Sequence, residues 1–164
     1  MPPTPWKMPP LIKIYEALGA LGDGRVRLLD EENALVSSSD GGKTYEVETR
    51  DGGREVSSND SASYWQGYLG YPATAVLLRR GLLQLPATVP DALAGIAWKE
   101  LNRRLKHNYS ATLAEVERTL EQTGHDPDAV RAEAEAVLEA LARLAPHRGK
   151  HRRLAREKSA SPSR

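Results

Sequence analysis

The side chains that could carry out chemistry are few in this sequence and unevenly placed. Its 164 residues include no Cys and only four His, which are His107, His125, His147 and His151. Without Cys there is no thiolate nucleophile, no disulfide, no iron–sulfur cluster and no cysteine zinc site. Because residues 1–106 contain no imidazole, catalysis there would depend on carboxylates, lysines, tyrosines or hydroxyls.

The stretch from Asp40 to Thr44 ends in Gly-Lys-Thr, the last three residues of a phosphate-binding loop. That loop needs a second glycine five positions before Gly42 and a helix after it, so that backbone N–H groups converge on the phosphate. Ser37 stands at the glycine position, and a strand pattern follows. We therefore interpret the segment as a turn and not as a nucleotide site.

Other patterns resemble catalytic or metal sites in residue type but not in context. His147 and His151 are four residues apart, as two metal ligands on one helical face would be, but they lie among cations that disfavour a metal ion. The serine clusters at 37–39 and 57–58 have no nearby His and no Gly-x-Ser-x-Gly turn. We therefore expect no cofactor and a metal-independent fold, and these patterns favour a protein that is not an enzyme without excluding one.

Aromatic residues are concentrated between Tyr64 and Tyr71, where four of the nine aromatic side chains lie within eight residues. With no Phe in the chain, these rings can fill the space between a sheet and a helix, and we favour that structural role for Trp65 and at least one tyrosine. The alternative is a recognition surface that stacks on bases or anchors a protein partner. The candidate recognition segment comprises Asn59, Asp60, Tyr64, Trp65, Gln66 and Tyr68.

Helix and strand patterns indicate how these residues are positioned. Alternating or β-branched runs, separated by Gly- and Asp-rich turns, predict strands at 25–29, 34–36, 43–49 and 54–57. Apolar residues at helical spacing predict helices over about 11–18, 73–80, 98–107, 112–123 and 127–145. The strands are short and consecutive, which favours an antiparallel meander of three or four strands.

These elements predict an α+β fold with an N-terminal helix, a small antiparallel meander covered by the helix from Ala73, and a C-terminal helical subdomain. The predicted organisation is a proline-rich arm at 1–9, an α+β domain at 10–89, the helical subdomain at 90–145 and a disordered basic tail at 146–164. We find neither an apolar stretch of membrane-spanning length nor an export signal. We therefore expect a cytosolic protein that does not enter a membrane.

Part of the chain resembles the SWIM-type zinc finger, over about residues 43–81. The resemblance rests on Tyr45-Glu46-Val47, on Glu55 to Asn59 and on Ala75-Val76-Leu77-Leu78, which follow one another as strand, strand and helix. That family has Cys-x-Cys at the end of the second strand and Cys-x-His at the start of the helix. The matching positions here are Ser57, Asn59, Gly70 and Pro72.

None of the four ligands of that family is present at the matching positions. The resemblance therefore implies a metal-free relative in which the aromatic cluster replaces zinc as the organiser of the fold. It also implies a nucleic-acid- or protein-binding role like that proposed for the family, although no binding residue can be carried over.

The net charge of +1 conceals an asymmetry between the two parts of the chain. Residues 146–164 carry seven basic side chains against Glu157 alone, a balance of +6, which leaves −5 for the residues before them. Such a basic block suggests a polyanion or an acidic partner, and it can equally be a solvated tail that aids solubility.

A second basic feature lies on the helix predicted after Trp98. Lys99, Arg103 and Lys106 are spaced i, i+4 and i+7, a stripe that can follow a phosphate backbone or form an ordinary solvated face. With the tail, the candidate nucleic-acid-binding residues are Lys99, Arg103, Lys106, Arg148, Lys150, Arg152 and Arg153.

Three hypotheses for function follow. The leading one is a small intracellular accessory or binding protein that contacts DNA or RNA electrostatically, without sequence preference. The second is a protein–protein adaptor anchored by the aromatic segment 64–71. The third is an enzyme, which would need one concave pocket that collects Asn59, Asp60, Tyr64 and Gln66. The sequence leaves the partner and the oligomeric state open.

Overall fold

Four consecutive strands form the antiparallel meander that the sequence predicts. The computed structural model of the protein describes residues 3–150 and 153–156. Within these residues the strands of the meander are β1 (Val26–Leu28), β2 (Asn33–Ser37), β3 (Thr44–Arg50) and β4 (Glu55–Ser58). Each pairs with the next in antiparallel register. The α+β fold class is therefore confirmed.

Alternation along the strands determines which face of the sheet is buried. In the pairing of β2 with β3, Ala34 lies opposite Val47, and both are almost fully buried. The next pair, Leu35 and Glu46, points to the other face, since successive side chains of a strand alternate in direction. One face of the meander therefore belongs to the core and the other faces outwards.

A fifth strand, β5 (His147–Arg148), pairs in parallel with β4. The sequence predicted a disordered tail from residue 146, which is wrong for these two residues. The N-terminal arm is tied to the same edge, because the Trp6 backbone N–H donates to the Pro146 carbonyl at 3.0 Å and its indole N–H donates to the Val56 carbonyl at 2.9 Å. Residues 151–152 and 157–164 of the predicted tail lie outside the described residues.

The central element of the helical part is α1 (Leu11–Gly22), which is enclosed by other helices. It contacts α2 (Tyr71–Arg79), α3 (Val89–Ala92), α5 (Tyr109–Gln122) and α6 (Pro127–Leu144), and α2 lies against all four strands of the meander. Ile14, Tyr15 and Leu18 are fully buried. The core is continuous from the sheet through α2 and α1 to the helices beyond residue 90.

Two glycines explain how α1 packs so tightly. The predicted helix over about 11–18 stops short of Gly19 and Gly22, but α1 includes both. A Cβ on Gly22 would lie 1.9 Å from the Pro90 carbonyl oxygen, and one on Gly19 would lie 2.5 Å from Nε1 of Trp98. These glycines therefore permit close approach between α1 and the segments that carry Pro90 and Trp98, at some cost in helix propensity.

The remaining helix boundaries follow capping chemistry. Asp126 caps α6 by accepting the Asp128 N–H, with Pro127 in the first turn as the sequence predicts. The cap of α5 is Asn108, which accepts the N–H of Ala111, so this helix begins three residues before its predicted start at about residue 112. Helix α4 is Trp98–Arg104 and ends three residues before the predicted end. None of the helices in the described ranges has the length and apolar character needed to cross a membrane.

Candidate functional site

The aromatic segment forms a π-helical turn at Ala62–Gln66 that displays its rings to solvent. Trp65 is 68% exposed and Tyr64 is 37% exposed, and their ring centroids are 4.6 Å apart in an edge-to-face arrangement. The prediction of a core role for Trp65 is therefore wrong. The physical reason is that Ser63 is the residue of the turn that faces inwards, which directs its neighbours outwards.

A buried carboxylate holds this turn in place. Asp60 accepts hydrogen bonds from the hydroxyls of Ser58 and Ser63, and from the Ser63 backbone N–H at 3.1 Å. The Ser63 hydroxyl oxygen in turn accepts the N–H of Gly70 at 3.1 Å, just before α2. This group, which we call the Asp60 cluster, connects the end of β4 to the start of α2.

The Asp60 cluster lies between the positions at which the SWIM-type resemblance places zinc ligands. The strand–strand–helix order of β3, β4 and α2 matches the frame of that family, but the resemblance itself stays a prediction. In this chain, hydrogen bonds to Asp60 link the second strand to the helix, whereas the aromatic rings of Tyr64 and Trp65 point to solvent. Tyr64 and Trp65 therefore do not take the organising role expected of the aromatic cluster, whereas Tyr71 of the same cluster packs against the core.

Two polar residues of the candidate recognition segment are structural. Asn59 and Asp60 are buried, and the Asn59 side-chain oxygen accepts the N–H of Glu46 at 2.8 Å. Tyr68 is half-buried, and burial, with a hydrogen bond to Tyr109, raises the pKa of its hydroxyl to about 12. Of the predicted recognition residues, Tyr64, Trp65 and Gln66 remain exposed.

Basic residues from the C-terminal segment lie beside the exposed rings. The Arg148 guanidinium lies 4.7 Å from the Trp6 ring centroid and donates to the Gly67 carbonyl at 3.3 Å. Arg148, Lys150 and Tyr64 line one cavity of about 220 Å³. The structure thus brings Tyr64 of the candidate recognition segment together with Arg148 and Lys150 of the candidate nucleic-acid-binding residues. We call the combination of Tyr64, Trp65, Arg148 and Lys150 the aromatic–basic surface.

Of the remaining candidate nucleic-acid-binding residues in the C-terminal segment, the structure describes Arg153. Arg153 is exposed, and the chain two residues later returns to the body, because the Ala155 N–H donates to the Asn59 carbonyl at 3.0 Å. Arg152 lies outside the described residues.

The predicted basic stripe after Trp98 does not form on one helix. Because α4 ends at Arg104, Lys106 lies beyond it in a left-handed conformation with φ of 54°. The Lys99 ammonium lies 3.1 Å from an Asp40 carboxylate oxygen, and the Arg103 guanidinium lies 2.6 Å from a Glu100 oxygen. Two of the three charges are thus paired within the protein.

A second cavity, of about 200 Å³, lies where α1, the turn between β2 and β3, and α4 meet. We call it the polar cavity, and its lining includes Lys13, Lys43 and Lys99. Of the four residues that the enzyme hypothesis required in one pocket, Asp60 lines this cavity and Tyr64 lines the other. The sequence did not indicate the polar cavity, because its residues come from segments up to 94 positions apart, from Lys13 to His107.

Comparison with known protein families gives one match. Residues 6–147 match the model of the family described as Uncharacterised conserved protein UCP014422. The chain belongs to this family. The match begins at Trp6 and includes the π-helical turn and the polar cavity, and it ends one residue before Arg148. No curated protein and no solved structure matches the chain.

Proposed function

We propose that this protein binds single-stranded nucleic acid, with little dependence on base sequence, through the aromatic–basic surface. The observation that carries this proposal is the 68% exposure of Trp65, in contact with Tyr64, beside a cavity lined by Arg148 and Lys150. Aromatic faces stack on bases of any identity, and nearby cations attract the phosphates. The surface thus combines the two contacts that sequence-indifferent binding needs.

The geometry favours a single strand over a duplex. Bases inside a duplex are stacked on one another and present only their edges in the grooves. An exposed ring on a protruding turn can stack only on a base that is unpaired and turned outwards. Trp65 lies on such a turn, and the Asp60 cluster holds the turn in position through Ser63.

The distribution of charge along the chain favours contact with a polyanion through the C-terminal segment. Residues before 146 carry a balance of −5, and the segment from 146 carries +6. Arg148 and Lys150, which line a cavity with Tyr64, belong to that segment. We expect a dissociation constant of roughly 10⁻⁴ to 10⁻⁶ M, the range of non-specific binding, and a steep weakening as salt rises. The absence of Cys suits the cytosol, where we expect this binding to take place.

The proposal is tested by fluorescence polarisation with a short labelled oligo(dT). Trp65→Ala should weaken binding about 5- to 150-fold, since stacking contributes about 1–3 kcal/mol per base. Lys150→Gln should weaken it less and should reduce the salt dependence. The matched control is Leu29→Ala, which removes another exposed apolar side chain, 49% exposed, and should leave binding unchanged.

Two results would overturn the proposal: no binding even at low salt, or full binding by Trp65→Ala. In either case the exposed aromatic pair would be better explained as an anchor for a protein partner. Trp, Tyr and Arg are the residues most enriched at the energetic centres of protein interfaces, and this surface contains all three.

A further inference from the structure

The polar cavity has a concentration of lysine that the proposed function does not use. Three of the seven lysines in the chain line it, and they come from α1, the turn between β2 and β3, and α4. Its lining includes Lys13, Glu16, Ser39, Lys43, Lys99 and His107. Glu16 and Asp60 are the acidic residues of the lining, and Asp40 lies at the rim, where it is paired with Lys99.

The floor of the polar cavity is a fixed ion pair. The Lys13 ammonium lies 2.9 Å from one oxygen of Glu16, and the other oxygen accepts the Asn102 side-chain N–H at 2.9 Å. Thr112 donates in turn to Asn102 at 3.3 Å. Burial by itself would lower the pKa of Lys13, but the Glu16 carboxylate raises it above the ordinary value of a lysine. The Lys13 ammonium therefore stays charged at neutral pH.

The rim of the cavity holds a second ion pair that a ligand could exchange. Lys99 and Asp40 are both close to half exposed, and such pairs contribute at most about 1 kcal/mol. Asp40 does not depend on Lys99 for its position, because it accepts the Gly42 N–H at 2.8 Å and the Ser38 hydroxyl at 2.7 Å. These two hydrogen bonds, with Lys99, lower the pKa of Asp40 to about 2. A movement of Lys99 towards an incoming anion would therefore leave Asp40 and the turn in place.

We propose that the polar cavity binds a small phosphate monoester, with its phosphate at the rim near Lys43, Lys99 and Ser39. Lysine ammonium groups bind phosphate as compact point charges, and hydroxyls donate to its oxygens. The Ser39 oxygen already accepts the Lys99 backbone N–H at 2.9 Å, which leaves its own proton to donate to the ligand. The Lys13–Glu16 pair at the floor then faces the rest of the molecule.

The size of the cavity limits what the ligand can be. About 200 Å³ equals the share of six or seven molecules in liquid water, at about 30 Å³ each, and is below the range of about 300–1,000 Å³ of drug-sized sites. A phosphate on a short carbon chain fits this space, whereas a nucleotide would have to extend beyond it. This site is also lined by different residues from the aromatic–basic surface. A negative result for phosphate binding would therefore leave the proposal of nucleic-acid binding unaffected, and the reverse also holds.

The experiment is a titration of the full chain, followed by the NMR shifts of its backbone amides, with glycerol 3-phosphate and with inorganic phosphate. We expect saturable shifts that centre on Ser39, Lys43 and Lys99. Lys43→Gln should weaken binding about tenfold or more, in line with the loss of a charged hydrogen bond. Arg27→Gln, which removes an exposed positive charge outside both the cavity and the aromatic–basic surface, is the control and should bind as the parent does.

Three results would overturn this assignment. One is the absence of saturable shifts with either phosphate, and another is unchanged binding by Lys43→Gln. The third is equal binding of succinate at matched ionic strength, which would indicate a general carboxylate or charge effect instead of a phosphate site. A urea unfolding curve of Lys43→Gln, and a second variant, Lys99→Gln, distinguish loss of the site from loss of the fold. Oligo(dT) binding by Lys43→Gln should be unchanged, which keeps this test apart from that of the proposed function.

Discussion

Gly70 lies so close to Asp60 that a Cβ at residue 70 would come within 1.9 Å of the Asp60 carboxylate oxygen Oδ2. This approach brings the start of α2 against the end of β4, and the Ser63 side chain bridges the two through its hydrogen bonds to Asp60 and Gly70. The same contacts fix the turn that displays Trp65. The position of the exposed aromatic pair thus depends on one buried carboxylate and one glycine.

The first prediction is that Gly70→Ala destabilises the fold. The added methyl group must displace the Asp60 carboxylate from its hydrogen bonds, and overpacking of this kind costs about 1–3 kcal/mol or more. The matched control is Gly149→Ala, whose Cβ would meet the flexible Glu55 side chain at 3.2 Å and should cost much less. Urea unfolding of both variants measures the difference. Equal midpoints would show that the Asp60 cluster is not rigid.

The second prediction separates two tryptophans. Trp65→Ala should change the free energy of unfolding by no more than about 0.5 kcal/mol, because the ring lies mostly in solvent. Trp6→Ala should cost about 3–5 kcal/mol, since Trp6 is buried and its indole bonds to Val56 on β4. Urea unfolding monitored by circular dichroism gives both values. A large loss of stability in Trp65→Ala would restore the core role that the sequence suggested.

The third prediction concerns Tyr15 at alkaline pH. Burial raises the pKa of Tyr15 to about 12, from an ordinary value near 10. The folded state thus favours the neutral phenol, so this stabilisation is complete below about pH 10 and is lost as the pH rises through about 12. The hydroxyl of Tyr15 has no hydrogen-bond partner within the part of the chain that the structure describes, so Tyr15→Phe should be nearly neutral at pH 7.

The measurement for Tyr15 is the free energy of unfolding of parent and variant as the pH is raised. Above about pH 10 the parent should lose stability faster than Tyr15→Phe. If the two curves remain parallel, Tyr15 does not titrate with a raised pKa.

The fourth prediction uses two truncations of the C-terminal segment. A chain that ends at Gly149 keeps β5 but loses six basic side chains and Glu157. It should fold normally and still bind oligo(dT). The slope of the logarithm of the binding constant against the logarithm of the salt concentration should become less steep, by about 0.7 for each phosphate that the shortened chain no longer neutralises. A chain that ends at Ala145 also loses β5 and the stacking of Arg148 on Trp6, so its urea midpoint should fall. An unchanged salt slope in the first truncation would mean that the tail does not bind phosphates.

The sequence predicted the meander well because its signals are local. Each strand alternates over a few residues, and glycines such as Gly41, with φ of 74°, occur where a tight turn needs a positive φ. Strand β5 has no such signal, since it consists of His147 and Arg148, and its partner Val56 lies 92 positions earlier in the chain. Pairing at that distance depends on the whole fold.

For the site residues, too, the sequence predicted what depends on nearby residues and missed what depends on residues far apart in the chain. Clustering of aromatic residues identified the segment that contains Trp65, but composition could not show which side of the turn faces inwards. That direction depends on the hydrogen bonds of Ser63 to Asp60. The lysines of the polar cavity lie in separate segments, and the local sequence around each resembles an ordinary solvated surface. Only the packing of α1 and α4 at the turn between β2 and β3 brings them together.

The most direct test of the central claim is intrinsic tryptophan fluorescence during titration with unlabelled oligo(dT). Trp6 and Trp98 are buried, so Trp65 is the tryptophan that a base can reach. Stacking on Trp65 should quench the emission in a saturable way, and rising salt should reverse the quenching. Trp65→Phe should lose the quenching yet keep measurable affinity by polarisation, since Phe also stacks. Binding of oligo(dT) by the parent without any change in tryptophan emission would contradict the account.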